Sequence, residues 1–149
     1  MVSQAIDLEK LIRAVGDAII AADPEGKIIL WNPAAERMFG FSAEEALGRT
    51  LDLIIPERYR DRHWTGFQTV MGSGETRYGS ELLRVPALHQ NGASLSIAFT
   101  VALIKSPDGR VEAIAAIVRD ETARWNEERN LRRRLNELEQ QSKKSDNGS

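Results

Sequence analysis

The sequence predicts an α+β fold: a five-stranded antiparallel sheet with helices grouped on one face, flanked by amphipathic helices at both ends. Three observations carry this. Apolar runs of strand length come as a pair near the N-terminus and as three after residue 78, with helix-period segments between and outside them. Turn-forming clusters separate the paired runs: Asp23-Pro24-Glu25-Gly26, Gln90-Asn91-Gly92 and Ser106-Pro107-Asp108-Gly109. In the middle one of the late runs Leu95, Ile97, Phe99 and Val101 alternate, which marks one buried face of a strand.

Taken in order, residues 4–16 carry Leu8, Leu11, Ile12 and Val15 at i, i+3, i+4 and i+7, an amphipathic helix, and 1–17 is assigned to this flanking segment. DAIIAAD and KIILW then read as two strands of a hairpin across the first turn cluster. Asn32 offers a helix N-cap with Pro33 at the first helical position, and Gly40 stops that helix. Ser42, followed by Glu44 and Glu45, starts a further short helix closed by Gly48.

After LDLII and Pro56 the spacing predicts a helix over 57–71, ended by Gly72-Ser73-Gly74. Tyr59, His63, Gly66, Phe67 and Val70 share one stripe of it, and Arg60, Asp61, Thr65 and Gln68 fall mostly off it. Trp64, one step on from His63, is expected to point elsewhere. Strands follow at 78–88, 94–104 and 110–119, so the folded unit spans 18–120. From Asp120 the pattern is helical again over 121–141, with Leu131, Leu135 and Leu138 as a short coiled-coil-like seam. KKSDNGS and its neighbours, 142–149, are expected to be a disordered tail.

Composition excludes several classes. A chain of 149 residues is about one domain with an appendage. The net charge of −2 gives no general attraction to nucleic acid or anionic membrane. The basic run Arg132-Arg133-Arg134 is offset by Glu127, Glu128, Glu137 and Glu139 and reads as a solvated helix face. No apolar run approaches the ~18 residues of a membrane span, and no signal peptide is visible, so a cytoplasmic location is expected. Zero cysteines exclude disulfides and thiolate ligands, and two histidines exclude a multi-histidine metal cage. Without a nucleophile motif, a phosphate loop or a second histidine in reach of the first, an enzyme is not expected.

The stretch DAIIAADPEGKIILWNPAAERMFGFSAEEALGRTL, the glycine-containing hairpin turns and the closing VRDET together resemble a PAS domain over about residues 8–121. The resemblance implies a sensor domain whose helical lobe closes over one sheet face to form a pocket. The segment IIPERYRDRHWTGF is similar to the haem-binding branch of that family, typified by FixL-type bacterial oxygen and gas sensors. Carried over, His63 would coordinate the iron of haem b as a neutral imidazole, with its other nitrogen donating a hydrogen bond. The bland alternative for His63 is a satisfied, half-buried imidazole.

One departure matters. The haem-binding branch has an arginine after a glycine on the following strand, whereas GSELLR places Leu82 or Leu83 there and displaces Arg84. Carbon monoxide, nitric oxide or iron redox state is therefore as plausible a signal as oxygen. Phe99 and Val101 match the sheet positions that crowd the ligand side, although plain strand core would also account for them. The expected cofactor-binding set is His63, Phe67, Leu82, Leu83, Ile97, Phe99 and Val101, with His63 as the metal ligand. The other reading is a non-haem PAS domain that binds another small metabolite or serves as a dimerisation and interaction module.

His89, beside Gln90-Asn91-Gly92, is expected to be an exposed turn residue. Asp120-Glu121-Thr122 resembles the junction that couples a PAS sheet to its output helix, and Asp120 is also a natural helix cap. The expected partners are a second copy, through the flanking helices, and a downstream signalling protein or output domain. Neither nucleic acid nor membrane is expected.

Overall fold

The computed structural model describes residues 4–147; the ends of the expected N-terminal segment and of the tail, 1–3 and 148–149, lie outside the described residues. Its elements are α1 (Leu8–Ala14), β1 (Ala18–Ala22), β2 (Ile28–Trp31), α2 (Pro33–Phe39), α3 (Ala43–Ala46), α4 (Arg60–Ser73), β3 (Leu83–Leu88), β4 (Ser94–Lys105), β5 (Val111–Asp120) and α5 (Thr122–Asn147). Short 3-10 turns at Leu51–Leu53, Glu57–Tyr59 and Arg77–Gly79 complete the lobe between β2 and β3. The strands form one antiparallel sheet in the order β2-β1-β5-β4-β3.

Local chemistry sets most boundaries. Asn32 Oδ1 accepts the Ala35 N–H at 3.0 Å, Pro33 opens α2, and Gly40 closes it at φ +83°, a left-handed backbone that favours glycine. Ser42 and Glu45 form a reciprocal capping box for α3, each side chain accepting the other's backbone N–H at 3.1 Å. Gly74, at φ +69°, ends α4.

Register decides which residues line the inner face. Leu83 pairs with Phe99 and Val85 with Ile97, while Phe99 pairs with Val118 and Val101 with Ala116. Ile20 is opposite both Ala116 and Trp31. These positions share one face, and Ile20, Trp31, Ile97 and Val118 from it build the core with Phe39, Ala46 and Ile54 from the lobe. Trp31 Nε1 donates to the Phe41 carbonyl at 3.0 Å, which satisfies the polar end of a buried indole.

Several expected boundaries shift. α1 is shorter than 4–16 because Asp7 caps it, accepting the Glu9 N–H at 3.0 Å. The helix expected over 57–71 begins as the 3-10 turn Glu57–Tyr59 behind Pro56 and becomes α-helical at Arg60. β3 starts at Leu83 instead of 78, because Thr76 Oγ1 accepts the Tyr78 N–H and holds Arg77–Gly79 in a turn. Pro86 is tolerated in β3 because that strand is a sheet edge. The expected disordered tail is helical through Asn147: no glycine or proline interrupts α5 before Gly148.

Candidate functional site around His63

α4 is held less by the sheet than by the segments before it. The Arg60 guanidinium donates to the carbonyls of Ile55, at 3.1 Å, and Asp52, at 3.4 Å, folding the start of α4 back over Leu51–Ile55. Gly26, in the β1–β2 turn, supplies the other seat. At φ +87° it presents a surface without a side chain, and a Cβ there would lie 2.5 Å from two carbons of the Trp64 indole.

Trp64 is therefore turned inward, an orientation the sequence left undecided, and it meets His63 instead of pointing away from it. The half-buried arc of α4 takes in both His63 and Trp64 together with Phe67, Val70 and Met71. Residues one step apart on a helix differ by about 100°, so an arc of that breadth accommodates both. Trp64 Nε1 donates to Asp52 Oδ1 at 2.8 Å. Its ring meets the His63 imidazole edge-on, with centroids 4.7 Å apart and planes at 76°, and meets Phe67 likewise at 5.3 Å. His63 and Phe67 lie 6.2 Å apart.

His63 carries the anomaly of the site. Its Nδ1 is buried and has no hydrogen-bond partner, the one such side-chain atom among the described residues. The imidazole is half-buried, as the bland reading expects, while its Nδ1 makes no hydrogen bond. Burial pushes its pKa below the usual histidine value, and the negative charge of Asp52 opposes that only in part. A neutral imidazole with an unused nitrogen has the donor chemistry that a single-histidine metal ligand needs. No group of three or more potential ligands exists among the described residues.

The other expected positions divide. Leu83, Ile97, Phe99 and Val101 all lie on the inner sheet face, which settles the facing that alternation alone left open. Leu82 does not join them: it precedes β3 and is 52% exposed. Arg84 pairs in register with Ala98, on the opposite face, and its guanidinium is 3.2 Å from the Glu121 carboxylate. It is thus turned away from the face that Leu83 shares. A surface cleft of about 890 Å³ runs along Arg84, Pro86, Ser96 and the root of α5, and Ile97 of the expected set also lines it. Beside His63 stand the rings of Trp64, at 4.7 Å, and Phe67, at 6.2 Å between centroids.

His89 is not the exposed turn residue expected. It is half-buried against Gly40, where a Cβ would stand 2.5 Å from its ring, and its Nδ1 accepts the Asn91 N–H at 3.1 Å. At the other end of the sheet Asp120 Oδ1 accepts the Thr122 N–H at 2.9 Å and starts α5. Ser96 bonds both ways across this junction, receiving the Glu121 N–H on its carbonyl at 2.8 Å and donating its own N–H to Thr122 Oγ1 at 2.9 Å. β4 and the root of α5 are thereby one hydrogen-bonded unit.

Sequence reasoning missed Asp52 and the role of Trp64. The only local signals were a carboxylate inside an apolar run and a glycine in a turn, and neither announces an indole from another element.

A family model for the PAS fold matches residues 6–120. The sensor protein FixL of Bradyrhizobium diazoefficiens is 41% identical over 56 residues, 38% of this chain and 11% of FixL. The oxygen sensor protein DosP of Escherichia coli is 27% identical over 94 residues, 63% of this chain and 12% of DosP. The chain thus spans only a small part of either relative. Among solved structures, the PAS domain of a Colwellia psychrerythraea protein superposes with a TM-score of 0.68 at 23% identity, covering 78% of this chain and 95% of that one. No helix among the described residues is long and apolar enough to cross a membrane.

Proposed function

The chain belongs to the PAS family of signal-transduction sensor domains, and from that premise we propose that it senses through haem b held by His63. The observation that carries this reading is the buried, unpartnered Nδ1 of a helix imidazole that burial keeps neutral. The likeness to FixL and DosP supports it. Haem supplies an iron at which a diatomic gas can bind or whose oxidation state can change.

The chain's own residues do the rest. His63 presents a lone pair, and Phe67 stands one helical turn away with its ring 6.2 Å off. Leu83, Ile97, Phe99 and Val101 give the sheet side an apolar face, with Ile97 buried and Phe99 packed against the core. None of these four can donate a hydrogen bond, and Arg84 is engaged by Glu121 on the other face. The site therefore favours carbon monoxide, nitric oxide or iron redox state over oxygen, whose affinity would lose about one to two powers of ten without a charged donor. A shift of β4 is passed to α5 through Ser96, Glu121 and Thr122, and from there to a downstream protein or output domain.

A second reading is favoured by a separate observation. Leu131, Leu135 and Leu138 are exposed along α5, as are Leu8 and Leu11 of α1. A domain with no haem could still act as a dimerisation and interaction module through these faces. The absorption spectrum of the chain purified from haem-sufficient cells separates the two. The haem reading expects a Soret band that is lost in His63→Ala. A parent chain that never takes up haem, or a His63→Ala variant that keeps it with unchanged spectra, overturns that reading.

A further inference from the structure

We propose that the cleft between the β3 edge and the root of α5 docks an acidic segment, with an apolar anchor, of the downstream protein that receives the signal. This rests on the reading that output leaves through β4 and α5, and it does not depend on what His63 holds. The cleft, of about 890 Å³, is lined by Arg58, Arg84, Arg124 and Arg129 against Glu121 and Glu128. Its walls are thus cationic in a chain whose net charge is −2. Both glutamates are already engaged: Arg84 stands 3.2 Å from Glu121, and Arg124 stands 3.9 Å from Glu121 and 3.4 Å from Glu128. Arg58 and Arg129 enter no ion pair among the described residues. Each guanidinium lies over a ring instead, Tyr59 at 4.9 Å and Trp125 at 5.3 Å. Two cations are therefore left for carboxylates from outside.

Trp125 supplies the seat for the apolar anchor. It lines the cleft and is 49% exposed, and tryptophan beside arginine is the composition of interface hot spots. The occupant is not an added strand. Leu88 donates its N–H to the Ile54 carbonyl at 2.8 Å, away from β4, so Arg84 and Pro86 share its outward parity, and Pro86 has no N–H to give. Side chains must therefore make the contact. Nor is the occupant a second copy held by the α5 seam. At about 100° per residue, Trp125 and Arg129 fall more than about 90° around α5 from Leu131, Leu135 and Leu138, so a dimer through that seam leaves the cleft open. Glu121 and Glu128 in the walls disfavour the phosphates of a nucleic acid. The place also suits output: Ser96 and Thr122 line the cleft and share the hydrogen bond that joins β4 to α5, so a segment seated there meets both sides of the junction.

The test selects short random peptides displayed on phage, with acidic, basic and apolar residues equally represented, against the full chain, and titrates the enriched sequences as synthetic peptides. Enriched sequences are expected to carry two or more carboxylates beside an apolar residue. Trp125→Ala, and Arg58→Glu combined with Arg129→Glu, are each expected to weaken binding about 10-fold or more. All three side chains are exposed, and cooperative thermal unfolding checks that the variants fold. Replacing the peptide's carboxylates by lysines is expected to abolish binding to the parent and restore it to the double variant. Enrichment with no acidic bias, no enrichment at all, or binding that neither change weakens overturns the proposal. So does self-association of the parent that is lost in the double variant, which would put a second copy in the cleft. A random-sequence oligonucleotide that displaces the peptide and loses its own affinity in the double variant would put nucleic acid there and overturn it too. Amide exchange reads the output path separately: bound peptide is expected to slow it at Ser96 and Glu121. Binding with that exchange unchanged keeps the docking site and removes β4 and α5 as the output path.

Discussion

The side-chain amide of Asn32 donates to the Ile12 carbonyl at 2.9 Å, tying the core to the flanking helix α1 twenty residues before it. The same NH2 donates to the Asp17 carbonyl at 3.1 Å, while Oδ1 accepts the N–H groups of Ile19 and Ala35. All four hydrogen-bonding positions of a side chain only 3% exposed are used. Asn32→Ala orphans these partners and is expected to cost roughly 2–4 kcal/mol. Asn32→Asp keeps two acceptor bonds but loses both donors and buries a charge, so it should cost at least as much. Urea unfolding measures the cost, and amide exchange should show α1 loosening before the sheet. An Asn32→Ala chain with parental stability would contradict this account.

Gly26→Ala tests the seat of Trp64. The added methyl meets a left-handed backbone penalty of about 1–2 kcal/mol, and the indole at 2.5 Å adds a packing clash. A total of roughly 2–5 kcal/mol is expected. In a Trp64→Ala background the clash vanishes and only the backbone part remains. The two substitutions should therefore couple in a double-mutant cycle of unfolding free energies. Simple additivity would mean that Trp64 does not rest on the turn.

Burial lowers the pKa of His63, so the folded chain binds a proton there less readily than the unfolded chain does. Its contribution to stability is complete above the unfolded value of about 6.5 and is lost as pH falls through 6.5 toward the folded pKa. The haem-free parent should lose thermal stability between about pH 7.5 and 5.5, and His63→Gln should lose less over that window. Because the Asp52 charge opposes the shift, Asp52→Asn should lower the pKa of His63 further. An NMR titration of the ring protons reads both effects. A folded pKa above the ordinary value would reverse the sign and defeat the prediction.

How much of this was legible follows from where each signal lives. Asn32, Pro33 and Gly40 announce α2, and Ser42 with Glu45 announces α3, because capping chemistry is carried by adjacent residues. Leu95, Ile97 and Phe99 announce a buried face by their period, though only pairing with β3 and β5 says which face it is. The start of β3 was misread because the Thr76 turn outweighs strand propensity over residues 77–79. His63 was legible as a candidate, whereas the unpartnered state of its Nδ1 is a property of the packed lobe. Trp64 lay furthest out of reach: its orientation is set by Gly26 and Asp52, both far back along the chain.

The last prediction concerns assembly and holds whether or not haem binds. Leu131, Leu135 and Leu138 are 57%, 57% and 62% exposed on a helix of 26 residues that also exposes Trp125 near its root. A seam of about two turns is too short to hold a coiled coil on its own in water. Ile6, Leu8 and Leu11 are likewise exposed at the N-terminal end. Both stripes belong to elements anchored to the same sheet, α1 through Asn32 and α5 through Ser96, so one two-fold contact can engage them together. A parallel homodimer through both flanking helices is expected, with the signal leaving along α5. Sedimentation equilibrium should give a dimer for the full chain, weaker association for a version lacking residues 1–16, and a monomer for Leu131→Glu combined with Leu135→Glu. At ~100 μM even an ordinary micromolar contact is populated, so a full chain still monomeric there would rule the dimer out.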